Sequence, residues 1–258
     1  MHESEIESYL ARIGAARPER ADPAALHDLQ LRHLNAVPFE NLSIHLGEDI
    51  RLSADALVDK VVRRRRGGFC YELNGAFAAL LSALGYPTTL LAARVAGPDG
   101  LSPPFDHLAI RVDLDEPWLV DAGFGAFSHY PLRLDVRTDQ PDAGGMFTIV
   151  ETAEGDLDIF KDTELEYRLE PRPRRLADFI PTCWYHRTSP DSHFTRSLIC
   201  SRLTEKGRVS LSGRLLIESI NGQREERVPA DDDEVLATYQ REFGITLEHL
   251  PPEPVHNA

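Results

Sequence analysis

The apolar positions of this chain change their period along its length. In the first third they recur at helical spacing. Ile6, Leu10 and Ile13 share one face of a short N-terminal helix. Asp22 followed by Pro23 has the form of an N-cap with proline at the first helical position, opening a helix through Leu26, Leu29 and Leu34. Ser53 caps another, which carries Leu57, Val58, Val61 and Val62. A further helix runs through Leu73, Phe77, Leu80, Leu81 and Leu84, with Gly85 and Pro87 as stop signals. The middle third switches to period two. Residues 88–95 read as a strand, Leu108, Ile110, Val112 and Leu114 alternate on a second, and residues 118–121 form a third across the turn Asp115-Glu116-Pro117. Residues 147–150, 157–160 and 165–169 continue the pattern, and short strands in series predict a small barrel or a strongly bent sheet. The last third is mixed. Residues 176–185 have a helical pattern that Pro181 should break, 198–203 and 214–220 read as strands, and Asn221-Gly222 is a hairpin turn leading into 224–228. Asp231, Asp232 and Asp233 open a helix with Val235, Leu236, Tyr239 and Phe243 inside and Gly244 at its end. A tail with Pro251, Pro252 and Pro254 follows, expected to be loose.

Composition narrows the classes of function. With 258 residues and 42% hydrophobic content the chain can bury a sizeable core. No apolar run approaches the roughly 20 residues of a membrane span, and the acidic start Met1-His2-Glu3-Ser4-Glu5 is unlike a signal peptide, so a cytoplasmic protein is expected. A net charge of −14 argues against general nucleic-acid binding. The run Arg63-Arg64-Arg65-Arg66 is a local exception. It reads either as cations complementing a helix C-terminus or as a patch that attracts a phosphate-bearing cofactor. Cys70, Cys183 and Cys200 form no CxxC pair and suggest neither a disulfide framework nor a metal site.

One run stands apart: Arg66-Gly67-Gly68-Phe69-Cys70-Tyr71-Glu72-Leu73-Asn74. Two glycines precede a cysteine and a helix follows it, so Cys70 belongs at the helix N-terminus. There the free N–H groups and the dipole favour an anion, and a thiol ionises below the free-cysteine value of about 8.5. A buried, inert helix-start cysteine would read the same way. A nucleophile needs a base and a group to orient it. His107 begins a strand, and Asp121 ends the next one at Ala122-Gly123-Phe124-Gly125. Their bland readings are a packing residue and a turn residue. A turn at 115–117 would place Arg111 opposite Asp121 and leave His107 roughly 13 Å along the strand, so contact requires a bulge or another register.

Together these pieces resemble the arylamine N-acetyltransferase family over about residues 5–245. The matching segments are Val37-Pro38-Phe39-Glu40-Asn41-Leu42, the Cys70 run, Ala93-Arg94-Val95, His107-Leu108, Val120-Asp121-Ala122-Gly123-Phe124-Gly125, Ser192-His193-Phe194 and Cys200-Ser201-Arg202-Leu203. The resemblance implies an α+β fold: a helical domain at 1–86 carrying the nucleophile, a central β-barrel at 87–175 carrying His and Asp, and an α/β lid at 176–258, arranged as in papain-like cysteine hydrolases. It implies a ping-pong reaction in which acetyl-CoA acetylates Cys70, and an arylamine, arylhydrazine or N-hydroxyarylamine then takes the acetyl group. His107 would be the base and Asp121 its orienter, with no metal. Phe39, Val95, Phe124 and Phe194 resemble pocket-lining positions, although plain core packing reads equally well. Gly123 and Gly125 resemble the loop near the CoA pyrophosphate, and Glu40 and Arg66 a buried structural ion pair. The expected partners are acetyl-CoA and a small aromatic amine or hydrazine, with no nucleic acid and no membrane. The competing readings are a macrolactam-forming amide synthase on the same scaffold, a thiol hydrolase, and a binding protein without turnover.

Overall fold

The structure, a computed structural model, describes residues 1–220 and 222–252. Asn221 of the expected hairpin and Pro254 of the tail lie outside the described residues.

The chain begins with α1 (Glu3–Ile13), α2 (Pro23–Ala36), β1 (Phe39–Glu40), α3 (Leu42–His45), α4 (Ala54–Val58) and α5 (Cys70–Ala83). Asp22 caps α2 by accepting the Ala25 N–H at 2.9 Å, with Pro23 in the first turn. Ser53 precedes α4 but makes no capping hydrogen bond with its side chain. The expected single helix there changes at Asp59 into a π-helical turn, Asp59–Arg63, which the apolar spacing does not reveal. Leu26, Leu29, Leu34, Leu73, Phe77, Leu80 and Leu81 fill the helical core with Ile6, Leu10 and Ile13.

A nine-stranded antiparallel sheet follows, built from β2 (Thr88–Gly97), β3 (Gly100–Leu101), β4 (His107–Asp113), β5 (Pro117–Val120), β6 (Leu132–Arg133), β7 (Gln140–Asp142), β8 (Gly145–Glu151), β9 (Leu157–Lys161) and β10 (Glu164–Arg174). Its order is β6-β5-β4-β2-β10-β9-β8-β7, with β3 paired to β2. The sheet nearly closes into a barrel. Across the remaining seam the Gln140 amide takes the place of a strand: its Nε2 donates to Arg133 O at 3.0 Å and its Oε1 accepts the Arg133 N–H at 2.8 Å. Leu91, Ala93, Ala109, Phe147, Ile159 and Tyr167 fill the inside. β6 and β7 are too short to show a periodicity.

The last part holds a 3₁₀ turn (Leu176–Phe179), α6 (Ile180–Thr188), α7 (His193–Arg196), β11 (Ile199–Thr204), β12 (Gly207–Ser212), β13 (Leu215–Ile220), β14 (Gln223–Arg227) and α8 (Asp232–Phe243). Pro181 does not break its helix. It sits in the first turn of α6, where a missing N–H is harmless. β12, absent from the sequence reading, buries Val209 and Leu211 on one face. α8 is capped by Asp231 and ends at Gly244 in the left-handed conformation.

The second sheet has the order β1-β11-β12-β13-β14, so a strand from the helical segment becomes its edge. Phe39 pairs with Ser201 and Glu40 with Cys200, while Phe39 also bridges to Gly68. Beneath this junction lies a buried ionic cluster. Arg66 donates to Glu40 through Nε at 3.1 Å and Nη2 at 3.3 Å, and Lys60 donates to Glu72 at 2.6 Å. Burial pushes the Glu40 carboxyl up, but the charges of Lys60 and Arg66 outweigh it and hold it below the usual range. Burial leaves Glu72 raised, with Lys60 opposing and Glu40 adding to the rise. Two more arginines of the run are absorbed: Arg63 pairs with Glu5 and Asp59, and Arg64 with Glu48. Arg66→Met would leave Glu40 buried without its hydrogen-bonded cation. The expected loss is about 3–5 kcal/mol in urea unfolding, and a loss below about 1 kcal/mol would show the pair to be dispensable.

Candidate active site

Cys70 is the first residue of α5, with Phe69 at the N-cap position. Its N–H therefore has no intrahelical acceptor. The turn before it is compressed: a Cβ on Gly67 would lie 1.8 Å from Pro38 O. Glu72 closes the turn by accepting the Phe69 N–H at 3.3 Å.

His107 and Asp121 are in contact, His107 Nε2 to Asp121 Oδ2 at 2.7 Å. The register expected from a turn at 115–117 is wrong by two residues. The loop is 114–116, Asp113 pairs with Pro117, and Arg111 faces Leu119 rather than Asp121. Pro117 is the first residue of β5, where a strand tolerates proline. Continuing this register sets Asp121 opposite Ala109, diagonal to His107 on the same face and within side-chain reach. No bulge is needed.

Asp121 is almost fully buried and surrounded by donors. Oδ1 accepts from Asn74 Nδ2 at 2.9 Å and from the Gly123 N–H at 3.0 Å, and Oδ2 also accepts from the Tyr167 hydroxyl at 3.2 Å. Burial, with the Asp121 charge adding to it, pushes the Tyr167 hydroxyl well up, so it stays a donor. Asn74 also donates to Leu108 O at 2.6 Å and accepts the Ala122 N–H at 2.8 Å. One side chain, one helical turn beyond Cys70, thus fastens both barrel strands to α5. Phe124 and Tyr167 hold the His107 ring, with centroids at 5.1 and 5.3 Å. Sequence reasoning gave neither Asn74 nor Tyr167 a role. For Asn74 a signal existed, an amide inside an otherwise apolar helix face.

Cys70 and His107 line one cavity of about 500 Å³. Phe39, Val95, Phe124 and Phe194 all lie on its wall, as does Gly123. Gly123 packs directly on Cys70: a Cβ there would lie 2.9 Å from Cys70 Cα. Gly125 is not on this wall; its carbonyl accepts from Arg208 Nη2 at 2.8 Å. Arg208 lines a second cavity of about 780 Å³ with Lys161 and Lys206. Burial holds the Arg208 guanidinium below its usual value, and among the described residues no carboxylate pairs with it. This donor set suits a phosphate.

Burial works against the helix-start expectation for the thiol. It pushes Cys70 well up; the Leu108 N–H pulls the other way, and the Asp106 and Asp121 charges add to the rise. A thiolate here therefore depends on a nearby cation, and protonated His107 can supply one. Cys183 and Cys200 are likewise raised by burial, and neither lines the cavity with His107.

A family model described as N-acetyltransferase matches residues 22–250. The chain is 35% identical to the pineal gland isozyme NAT-10 of arylamine N-acetyltransferase from Gallus gallus, over 94% of each chain. It is 34% identical to the arylamine N-acetyltransferase of Mycobacterium tuberculosis, covering 95% of this chain and 91% of that one. The solved structure of Mycobacterium marinum arylamine N-acetyltransferase in complex with CoA superposes with a TM-score of 0.85 at 34% identity, covering 93% and 92% of the two chains. Among the described residues no helix is long and apolar enough to cross a membrane.

His107→Gln tests whether His107 supplies the cation that offsets burial. The Cys70 alkylation profile of His107→Gln, read at the Cys70 peptide by mass spectrometry, should move to higher pH than that of the parent. An unchanged profile would mean that the two groups share no proton.

Proposed function

The chain belongs to the arylamine N-acetyltransferase family, and on that footing we propose that it transfers acetyl from acetyl-CoA to the nitrogen of an arylamine, arylhydrazine or N-hydroxyarylamine through a thioester on Cys70. The observation that carries this reading is the His107–Asp121 contact at 2.7 Å on the wall of the cavity that holds Cys70.

Cys70 is the nucleophile, His107 the base and Asp121 the orienter. Asp121 accepts the hydrogen bond of the His107 Nε2–H, which leaves Nδ1 to exchange a proton with Cys70 Sγ. The thiolate attacks the thioester carbonyl, and the unpaired Cys70 N–H at the start of α5 is placed to stabilise the oxyanion. The bond to the CoA sulfur breaks, and that sulfur leaves with the proton held by His107. In the second half the amine nitrogen attacks the acetyl carbon. His107 Nδ1 takes the amine proton, Cys70 leaves as thiolate, and the thiolate–imidazolium pair is restored. Aniline-type amines are weak nucleophiles, so this base matters most in the second half.

Phe39, Val95, Phe124 and Phe194 form the apolar wall for the acyl group and the aryl ring. The size of the cavity supports a small acceptor over a macrolactam precursor. Gly123 and Gly125 would serve the donor through their loop, with Arg208, Lys161 and Lys206 behind it as the phosphate partners. Since CoA bears phosphates, these cations fit it.

Acetyl-CoA without amine should place one acetyl group on Cys70, seen by peptide mass spectrometry. An adduct on Cys183 or Cys200 instead would overturn the assignment. Cys70→Ser should lower transfer by about three orders of magnitude or more with the fold intact by circular dichroism; retained activity would sink the reading.

A further inference from the structure

The cavity contains a second histidine–carboxylate pair that the acetyl transfer above does not use. His186, on α6, and Asp106, the residue before His107, both line it. His186 is 6% exposed and the Asp106 side chain 15%. The imidazole is clamped by aromatic rings: Phe194 at 5.1 Å, Tyr185 at 5.5 Å, Tyr71 at 6.0 Å and Phe69 at 6.3 Å between centroids. Its Nδ1 is engaged with Ser192 Oγ at 3.2 Å. Its Nε2 lies 3.0 Å from Asp106 Oδ1 yet is not aligned for a hydrogen bond, so this buried nitrogen has no true partner. Two polar groups are set side by side without satisfying each other, next to the rings of Phe194 and Tyr185 on a wall that also carries Ser102, Asp191 and Arg196.

The backbone holds Asp106 firmly in this place. Phe105 adopts φ +65°, and the Tyr71 hydroxyl donates to Phe105 O at 2.8 Å and to Asp106 O at 3.1 Å. A bulky residue in the left-handed region is strained, and such strain persists only where the surroundings impose it. The carboxylate does not serve the thiolate, because its charge opposes ionisation of Cys70. Among the described residues no lysine or arginine pairs with it.

We propose that Asp106 and His186 form the hydrogen-bonding end of the acceptor site and select aromatic acceptors carrying a second N–H or O–H donor in addition to the reacting amine. This rests on the acetyl-transfer reading and adds to it the chemistry of the acceptor. The aryl ring lies against Phe39, Phe124 and Phe194. The extra donor reaches the Asp106 carboxylate, and Nε2 of His186 accepts from the same group or donates to its oxygen. Burying a ligand without that donor leaves both groups unpaired, which is where the discrimination arises.

The test compares 4-aminophenol with 4-fluoroaniline, which are close in shape and differ in the donor. Dissociation constants by ligand-observed NMR and kcat/KM with acetyl-CoA are measured for the parent, Asp106→Ala and His186→Gln. The parent should favour 4-aminophenol. The preference should fall about tenfold in each variant that folds, appearing in Kd and KM rather than in kcat. Taking the ratio within each protein cancels the different nucleophilicities of the two amines. Equal losses for both acceptors, or an unchanged ratio in the folded variants, would overturn the proposal. Acetylation of Cys70 in the parent by acetyl-CoA alone reads the transfer separately: no adduct there overturns the two-step reading, while the ratio of dissociation constants still decides the subsite.

Discussion

Two acids and two bases are locked under the turn that presents Cys70. Glu40, Lys60, Arg66 and Glu72 are each less than a tenth exposed and are joined by hydrogen bonds of 2.6 to 3.3 Å. Removing such charges from water is unfavourable unless each keeps its partners, so the cluster tolerates only one arrangement of the segments that carry it. Those segments come from four places: β1, the π-turn after α4, the loop before Cys70 and the first turn of α5. Glu40 is also paired through its backbone to Cys200, which ties the helical layer to the second sheet. The turn before Cys70 is thus held from below by charge and from the side by a strand.

From that anchor the site is assembled by polar contacts from the barrel. Asn74 reaches Leu108, Asp121 and Ala122, and so sets the N-terminus of α5 against the ends of β4 and β5. Gly123 allows the closest approach, against the backbone of Cys70. Asp121 receives four donors, which fixes both of its oxygens and through them the ring of His107. Burial gives the site its electrostatic character. It resists a lone thiolate at Cys70, and the charge there becomes tenable only as one half of a pair.

Two histidine–carboxylate pairs meet the cavity, one through His107 and the other through both His186 and Asp106, and they differ in satisfaction. His107–Asp121 is aligned and braced on every side. His186–Asp106 is close but misaligned, and it faces the same space. The first suits repeated proton transfer, which requires fixed geometry. The second has unused hydrogen-bonding capacity, which suits recognition of a ligand.

Much of the local structure was legible in the chain. Asp22-Pro23 announced α2, the apolar spacing after Cys70 announced α5, and the alternation from Leu108 announced β4, because caps and periodicities act over a few residues. The resemblance of the motifs also pointed to Cys70, His107 and Asp121 as a set. Contact between them was not legible, since a turn placed one residue late at Pro117 moves the strand register by two. The π-turn, β12 and the helix-starting role of Pro181 escaped for similar reasons: each depends on what packs against it. Asn74, Tyr167, Asp106 and His186 lie up to about a hundred residues apart and carry no local signature of partnership. The sequence by itself determined the capped and periodic elements, such as α2, α5 and β4, and the place of Cys70 at the start of its helix, since those follow from short-range sterics and hydrogen bonding. Only the tertiary structure decided that His107 meets Asp121, that burial opposes the thiolate, and that a second pair faces the cavity. These depend on strand register and on the desolvation of groups brought together from distant parts of the chain.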